Sequence, residues 1–260
     1  MVLVGAQKNQ FRIVVMQKFL RKCGSWLWVL PAITSAASWA ADAPTSLDIT
    51  LQNGGSMHEW TPAIVSTGNG YKVNDIGYNP AGASIFCYNM TLNFDPFISA
   101  SVDIVNTTAS IQTYTLTFTL PISPAITTGS FIGGSTQGGI TDANNDGIGV
   151  LSTTGPGTSF FTGQIDGVDV LHLFSDPKTI TIPFMGGSAS DSTSAGLPGG
   201  SISGPNALTS IGIKEQFSLT PGDRATFTSI FVVNAFPVPE PASLSLLALG
   251  CLVLLRRRGC

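Results

Sequence analysis

Gln112-Thr113-Tyr114-Thr115-Leu116-Thr117-Phe118-Thr119-Leu120 alternates bulky apolar side chains with threonines. Tyr114, Leu116, Phe118 and Leu120 fall on one side, and Thr113, Thr115, Thr117 and Thr119 on the other. A strict period of two belongs to a strand, because successive Cβ atoms leave opposite faces of the pleat. Large apolar groups alternating with threonines predict a half-buried antiparallel strand, with a threonine ladder toward water.

The pattern continues on both sides. Residues 46–52 place Leu47, Ile49 and Leu51 on one face. Residues 84–94 carry Ile85, Phe86, Tyr88, Met90, Leu92 and Phe94, and a strand over 97–105 follows Asp95-Pro96. Further strands are expected at 147–152, 159–165, 168–173, 178–184, 210–219 and 225–233. Asp166-Gly167 predicts a hairpin turn, and Thr220-Pro221-Gly222-Asp223 a second turn. Residues 106–110 are expected to close a hairpin between 97–105 and 112–120. Residues 186–205, rich in Gly and Ser and without a period, are expected to form a long flexible loop. No 12-residue window between Ala41 and Phe236 has helical periodicity, and no repeat marks a solenoid. The prediction is an all-β fold: an antiparallel β-sandwich over residues 41–236, jelly-roll-like or Ig-like.

Charge is segregated along the 260 residues. Lys8, Arg12, Lys18, Arg21 and Lys22 precede residue 23, and Arg256, Arg257 and Arg258 lie at the far end. Between Ala41 and Phe236 there are four bases, Lys72, Lys178, Lys214 and Arg224, against fourteen acids, a net charge of −10. An acidic domain of this kind repels phosphate backbones, so nucleic acid is set aside as a partner. Cys87 is the one cysteine of this region, so a disulfide within it is excluded, and its residue type reads as a small buried apolar group.

Both ends read as addresses. Lys18, Arg21 and Lys22 precede an apolar run over 26–33, followed by Ser35, Ala36, Ala37, Ser38, Ala40 and Ala41. That is the order of a secretory signal peptide, with cleavage expected after Ala40. The run is short for a membrane anchor. Met16 alone opens a conventional signal, so residues 1–15 read as an extension. Residues 1–40 are therefore assigned to extension plus signal peptide. Residues 237–260 are a separate tail. Val238-Pro239-Glu240-Pro241-Ala242-Ser243 holds an extended segment that a protease can receive, since two prolines remove backbone donors. A helix-favouring apolar run over 244–255 follows, then Arg256-Arg257-Arg258, which favour the cytoplasmic side. From Ala242 to Leu255 a helix would be about 21 Å long, short of a core of roughly 30 Å. That length suits a transient hold in the inner membrane.

This tail closely resembles the PEP-CTERM sorting signal, also described as an ice-binding-protein C-terminal domain, a label that implies nothing about ice for the middle domain. Pro239-Glu240-Pro241, the apolar run and the arginine cluster carry the resemblance, over about 23 residues at the C-terminus. It implies recognition by an exosortase, a membrane transpeptidase-like enzyme of Gram-negative bacteria that make exopolysaccharide. It also implies delivery across the inner membrane to the cell envelope, surface or extracellular matrix, through a membrane-anchored precursor with a cytoplasmic C-terminus.

Catalytic patterns are weak in the middle domain. His172 has Asp169 and Asp176 nearby in sequence, but no Gly-x-Ser-x-Gly elbow accompanies them, and His58-Glu59 lacks a second histidine four residues on. Asp142-Ala143-Asn144-Asn145-Asp146-Gly147 sets oxygen ligands at Asp142, Asn144 and Asp146, like the first half of a Ca²⁺ loop. Thr153 stands where the bidentate Glu would be, and Asn-Asp-Gly is also a good plain turn. Calcium is thus the one cofactor the sequence suggests. The expectation is an exported, non-enzymatic surface or matrix protein. The alternative is a carbohydrate- or calcium-dependent adhesive module, with exopolysaccharide as partner and Trp60, Tyr71 and Tyr78 as candidate sugar-facing aromatics.

Overall fold

The threonine-laddered stretch runs through the middle of one of two antiparallel sheets in a computed structural model that describes residues 46–67, 70–93 and 96–236. Seventeen strands and no helix occur among these residues. In chain order the strands are β1 (Asp48–Asn53), β2 (Ser56–Trp60), β3 (Ile64–Ser66), β4 (Tyr71–Val73), β5 (Ile76–Tyr78) and β6 (Ala83–Asn93). They continue with β7 (Phe97–Asn106), β8 (Gln112–Pro121), β9 (Ser130–Thr141), β10 (Val150–Ser152), β11 (Ser159–Ile165) and β12 (Val168–Ser175). The last are β13 (Thr179–Thr181), β14 (Ser188–Ala195), β15 (Ile202–Gly204), β16 (Ser210–Leu219) and β17 (Arg224–Ala235). The first sheet runs β12-β11-β16-β8-β1-β2, with β10 on β16 and β13 on β10. The second runs β14-β9-β17-β7-β6-β4-β3, with β15 on β9 and β5 on β6. The signal peptide, Ala40 and the short C-terminal helix expected from the sequence lie outside the described residues.

The inner faces are built as the alternation requires. Tyr114, Leu116, Phe118 and Leu120 are buried, while the intervening threonines are partly or fully exposed. Opposite them, β17 buries Ala225, Phe227, Phe231 and Val233. Aromatic rings bridge the two layers. Phe217 and Phe227 lie 4.8 Å apart between centroids, Phe160 and Phe227 6.0 Å, and Phe161 and Phe231 6.4 Å. Tilted and edge-on pairs of this kind add to the hydrophobic term from area burial. The result is a β-sandwich with one continuous core.

Two expectations need correction, and β9 was not expected at all. Strands β7 and β8 do not form a hairpin: β7 pairs with β6 and β17, and β8 with β1 and β16. The chain crosses from one sheet to the other at Asn106, whose buried side chain is better satisfied by an arch. Its Nδ2 shares two hydrogens among the carbonyls of Ser110 (2.8 Å), Leu219 (3.0 Å) and Thr220 (3.2 Å). Its Oδ1 accepts from the amide of Thr108 (3.0 Å) and the Thr108 hydroxyl (2.8 Å). The 186–205 segment contains edge strands β14 and β15, both on β9. Their side chains are too small and polar to show an apolar period; β14 is held by backbone pairing, by Ala189 and Ala195 against the core and by the Asp191–Lys178 pair. β9 itself had no apolar alternation to announce it. A Cβ at Gly134 would meet Leu171 at 2.9 Å and Phe161 at 3.1 Å, so glycine there admits the large side chains of the facing sheet.

One core position breaks the apolar rule. Glu215 is fully buried on β16, where its Oε1 accepts from Ser229 at 2.7 Å. Ser229 also contacts the Thr136 hydroxyl at 2.9 Å, and Glu215 Oε2 has no partner. Desolvation pushes this carboxyl up to about 8, so it is a neutral acid at pH 7. Nearby Cys87 is buried, and burial with the Glu215 charge raises its thiol to about 12.

Two measurements test these assignments. Asn106→Ala orphans the buried Leu219 and Thr220 carbonyls and should cost about 3 kcal/mol of unfolding free energy in denaturant titration; a loss near zero would refute the tie. For Glu215, the folded state keeps its proton up to about 8 while the unfolded chain releases it near 4.5. Wild-type stability should therefore fall as pH rises through that window, by up to about 1.4 kcal/mol per pH unit, then level off. Glu215→Gln should remove that fall, and an unchanged slope in the variant would refute it.

Candidate functional site

The predicted oxygen set does come together. Asp142 ends the β9 region and is buried by its own loop. Its Oδ1 accepts from the Asp146 amide (3.2 Å), and its Oδ2 from the amides of Gly147 (3.0 Å) and Gly186 (2.8 Å). The Gly186 bond, first among these donors, holds the carboxyl below the usual carboxylate range against a smaller desolvation cost. Asn144 turns its amide nitrogen to Asp146 Oδ2 (2.9 Å) and to the Pro221 carbonyl (3.0 Å). Asp146 Oδ1 accepts from Ile148 N at 2.7 Å. Asn145 (φ 60°) and Gly147 (φ 79°) adopt the left-handed backbone that this turn requires. The geometry is that of a turn capped by its own side chains. Among the described residues no three His, Cys, Asp or Glu side chains gather to hold a metal.

Next to this turn, Asp223 is fully buried, with Oδ2 bonded to the Thr220 hydroxyl and Oδ1 unpartnered. Desolvation first, then the charges of Asp142 and Asp146, raise its carboxyl.

His172 is exposed on β12, with Nδ1 3.3 Å from Ser159 Oγ. Ser159 is buried, and its hydroxyl also reaches the Phe161 carbonyl (2.9 Å) and the Thr162 hydroxyl (2.8 Å). Asp169 directs its carboxylate to Lys214 (2.6 Å) and Gln164 (2.7 Å), and Asp176 accepts from Thr153. The serine thus lacks access to a substrate, and neither aspartate orients the imidazole by a hydrogen bond.

The aromatics near residue 60 gather on one border of the sandwich, Trp60 and Tyr71 partly buried and Tyr78 38% exposed. Trp60 and Tyr71 pack against the core. Tyr78 stacks on Trp60 at 5.2 Å and meets His58 edge-on at 5.9 Å, closing the border between β2 and β5. A surface feature the sequence reading missed lies on the outer face of the second sheet. There Gln137, Thr141, Ser188, Ser190, Thr226 and Thr228 line a groove of about 310 Å³. Phe86 and Tyr88 stand on the same sheet, rings 5.7 Å apart and 24° from parallel, with Phe86 44% exposed. The signal available was the Ser-x-Ser-x-Ser alternation at Ser188, Ser190 and Ser192, a period of two in residues too small to mark a core.

For the acidic turn, Asp142→Ala strands three amides and should lower the melting temperature at neutral pH. Because the folded carboxyl sits below its unfolded value, its stabilisation is present above that value and is lost as pH falls through the folded pKa. The gap between variant and wild type should therefore narrow in acid. Millimolar calcium should leave the wild-type melting temperature unchanged, since both Asp142 oxygens are already committed; a clear rise would show that the loop opens to take the ion.

The sorting residues Val238, Pro239, Glu240, Pro241, Ala242 and Ser243, with Arg256, Arg257 and Arg258, lie outside the described residues. No curated protein matches the chain. Residues 237–258 match the family model of the PEP-CTERM protein-sorting motif, which marks the chain as an exosortase-targeted, secreted protein.

Proposed function

We propose that this is a non-enzymatic surface or matrix protein, held briefly at the inner membrane by residues 237–260 and released or transferred when an exosortase processes the Pro239-Glu240-Pro241 region. The observation that carries the reading is the sorting motif at 237–258. Three further features support it. The apolar run between Pro241 and Arg256 is short for a permanent span, while the arginine cluster favours a cytoplasmic C-terminus. The 1–40 region has the residue order of a signal peptide cut after Ala40, which would deliver the sandwich to the far side. In the sandwich, Asp142, Asp169 and the serine nearest a histidine are engaged in local hydrogen bonds. The exported domain then acts through its surface, and exopolysaccharide is the partner its destination offers.

Intact-mass spectrometry of protein from the native host is the direct test. The mature form should lack both residues 1–40 and the arginine tail. A Pro239→Ala/Glu240→Ala/Pro241→Ala chain should accumulate in the membrane fraction at the mass of the unprocessed tail, as should wild type in a host without its exosortase. Equal masses in all three would refute processing through this motif.

A further inference from the structure

The pairing of the second sheet aligns its outward side chains in straight rows across five strands. Ser190, Gly139, Thr226, Asp103 and Phe86 form one row, through β14, β9, β17, β7 and β6. Ser192, Gln137, Thr228, Ser101 and Tyr88 form the next. The groove lies over β14, β9 and β17 at one end of these rows, and the Phe86–Tyr88 pair closes the other end. From Gly139 to Phe86 is three strand spacings, about 14 Å.

Gly139, between Ser190 and Thr226, has no side chain, and so leaves room in the groove. The groove is walled chiefly by hydroxyls and one amide, groups that both donate and accept, with Ile140 and Ala189 as its apolar members. Asp103 stands in the first row between Thr226 and Phe86, and Arg224 stands opposite the groove residue Thr141; the two face each other at 3.8 Å, so each offsets the other's charge. Phe86 contributes nothing to the core from this position, and on a polar face an exposed ring beside a second, nearly parallel ring is a feature that packing does not explain. Tyr88 is oriented by a β-bulge, with Asn89 at φ 51° and the register shifting between Tyr88 and Thr91.

We propose that this face binds a neutral, hydroxyl-rich glycan chain, seated in the groove and stacked on Phe86 and Tyr88. The chemistry is complementary at both ends. Alcohols exchange hydrogen bonds with Ser, Thr and Gln without desolvating a charge, and the C–H face of a sugar ring suits a flat aromatic surface. Charge decides between glycan classes: a domain of net −10 repels anionic polysaccharides, and the groove itself offers no free cation to offset that. The proposal does not depend on how the tail is processed.

The test is affinity electrophoresis of the exported protein recovered from its host, in native gels containing dextran, hydroxyethylcellulose or galactomannan, with alginate and polygalacturonate as the anionic arm. At least one neutral glycan should retard the protein, and neither anion should. Two variants interrogate the face. Gly139→Val places a side chain in the groove, and its Cβ would meet Ala189 O and Ser190 Cβ at an ordinary 3.4 Å, so the fold should survive. Phe86→Ser removes the exposed ring. Each should weaken retention about tenfold with the melting temperature unchanged. Retardation by none of the neutral glycans, by the anions alone, or equally in wild type and both variants overturns the proposal. The mass-spectrometric outcome for the tail is independent of each of these results.

Discussion

The amide of Asn106 ties the two layers together at one end. The chain leaves the second sheet at β7 and enters the first at β8, and it returns from the first at β16 to the second at β17. Both crossings would leave buried carbonyls without partners, a cost the fold meets with one side chain. Asn106 bonds Ser110 in its own arch and Leu219 and Thr220 in the other. Its backbone completes the junction, with N–H to Asp223 O at 3.0 Å and C=O from Gly222 N–H at 2.9 Å. Only a side chain with both donors and an acceptor can do this, so the site demands an amide. With the arches fixed, β16 and β17 face each other along their length, and the Phe217–Phe227 contact follows.

Much of the fold was legible because burial writes a period of two into sequence. β11 and β16 occur at the predicted residues, and β1, β6, β7, β8, β12 and β17 within a few. The Asp166-Gly167 hairpin was equally readable, and its structure adds a reason: Asp166 accepts from the amides of Leu208, Thr209 and Ser210, anchoring the start of β16. Burial opposes its charge, but these donors outweigh it and hold the carboxyl at about 2. What the sequence hid was pairing. Alternation says that a strand has an inner face, not which sheet it joins, so adjacent strands β7 and β8 looked like a hairpin. β9 and β14 were hidden for the opposite reason. Glycine in β9 makes room for large side chains from the other layer, and β14 is an edge strand of small polar residues, so neither carries an apolar stripe.

The candidate sites divide along the same line. Three oxygen donors at Asp142, Asn144 and Asp146 were readable as a loop, because Asx and Gly residues determine local backbone. Whether their oxygens face inward to an ion or backward to amides is set by residues far away in sequence, such as Gly186 and Pro221. Sequence spacing alone does not fix that choice. The same limit applies to Trp60: its type says nothing of its surroundings, which place it partly buried against the core beside Tyr78. The outer face with its exposed pair belongs to Phe86 and Tyr88, two residues that alternation had placed in an apolar strand.

A chain built this way separates delivery from recognition. The tail at 237–258 is a sorting motif and carries no information about what the sandwich does at its destination. The sandwich, in turn, commits most of its scarce charges to holding its own loops: Asp142 and Asp166 accept backbone amides, while Asp169 and Asp191 pair with Lys214 and Lys178. Exposed ion pairs of this kind add little stability, typically below about 1 kcal/mol each. Their consequence is more evident at the surface, where they leave few free cations. What remains for recognition is the outer face of the second sheet, where Asp103 and Arg224 offset each other and the hydroxyls are spaced by the strand ladder itself. A ligand for such a face must match backbone geometry rather than charge, and a chain of regularly spaced alcohols meets that condition where an acidic polymer does not.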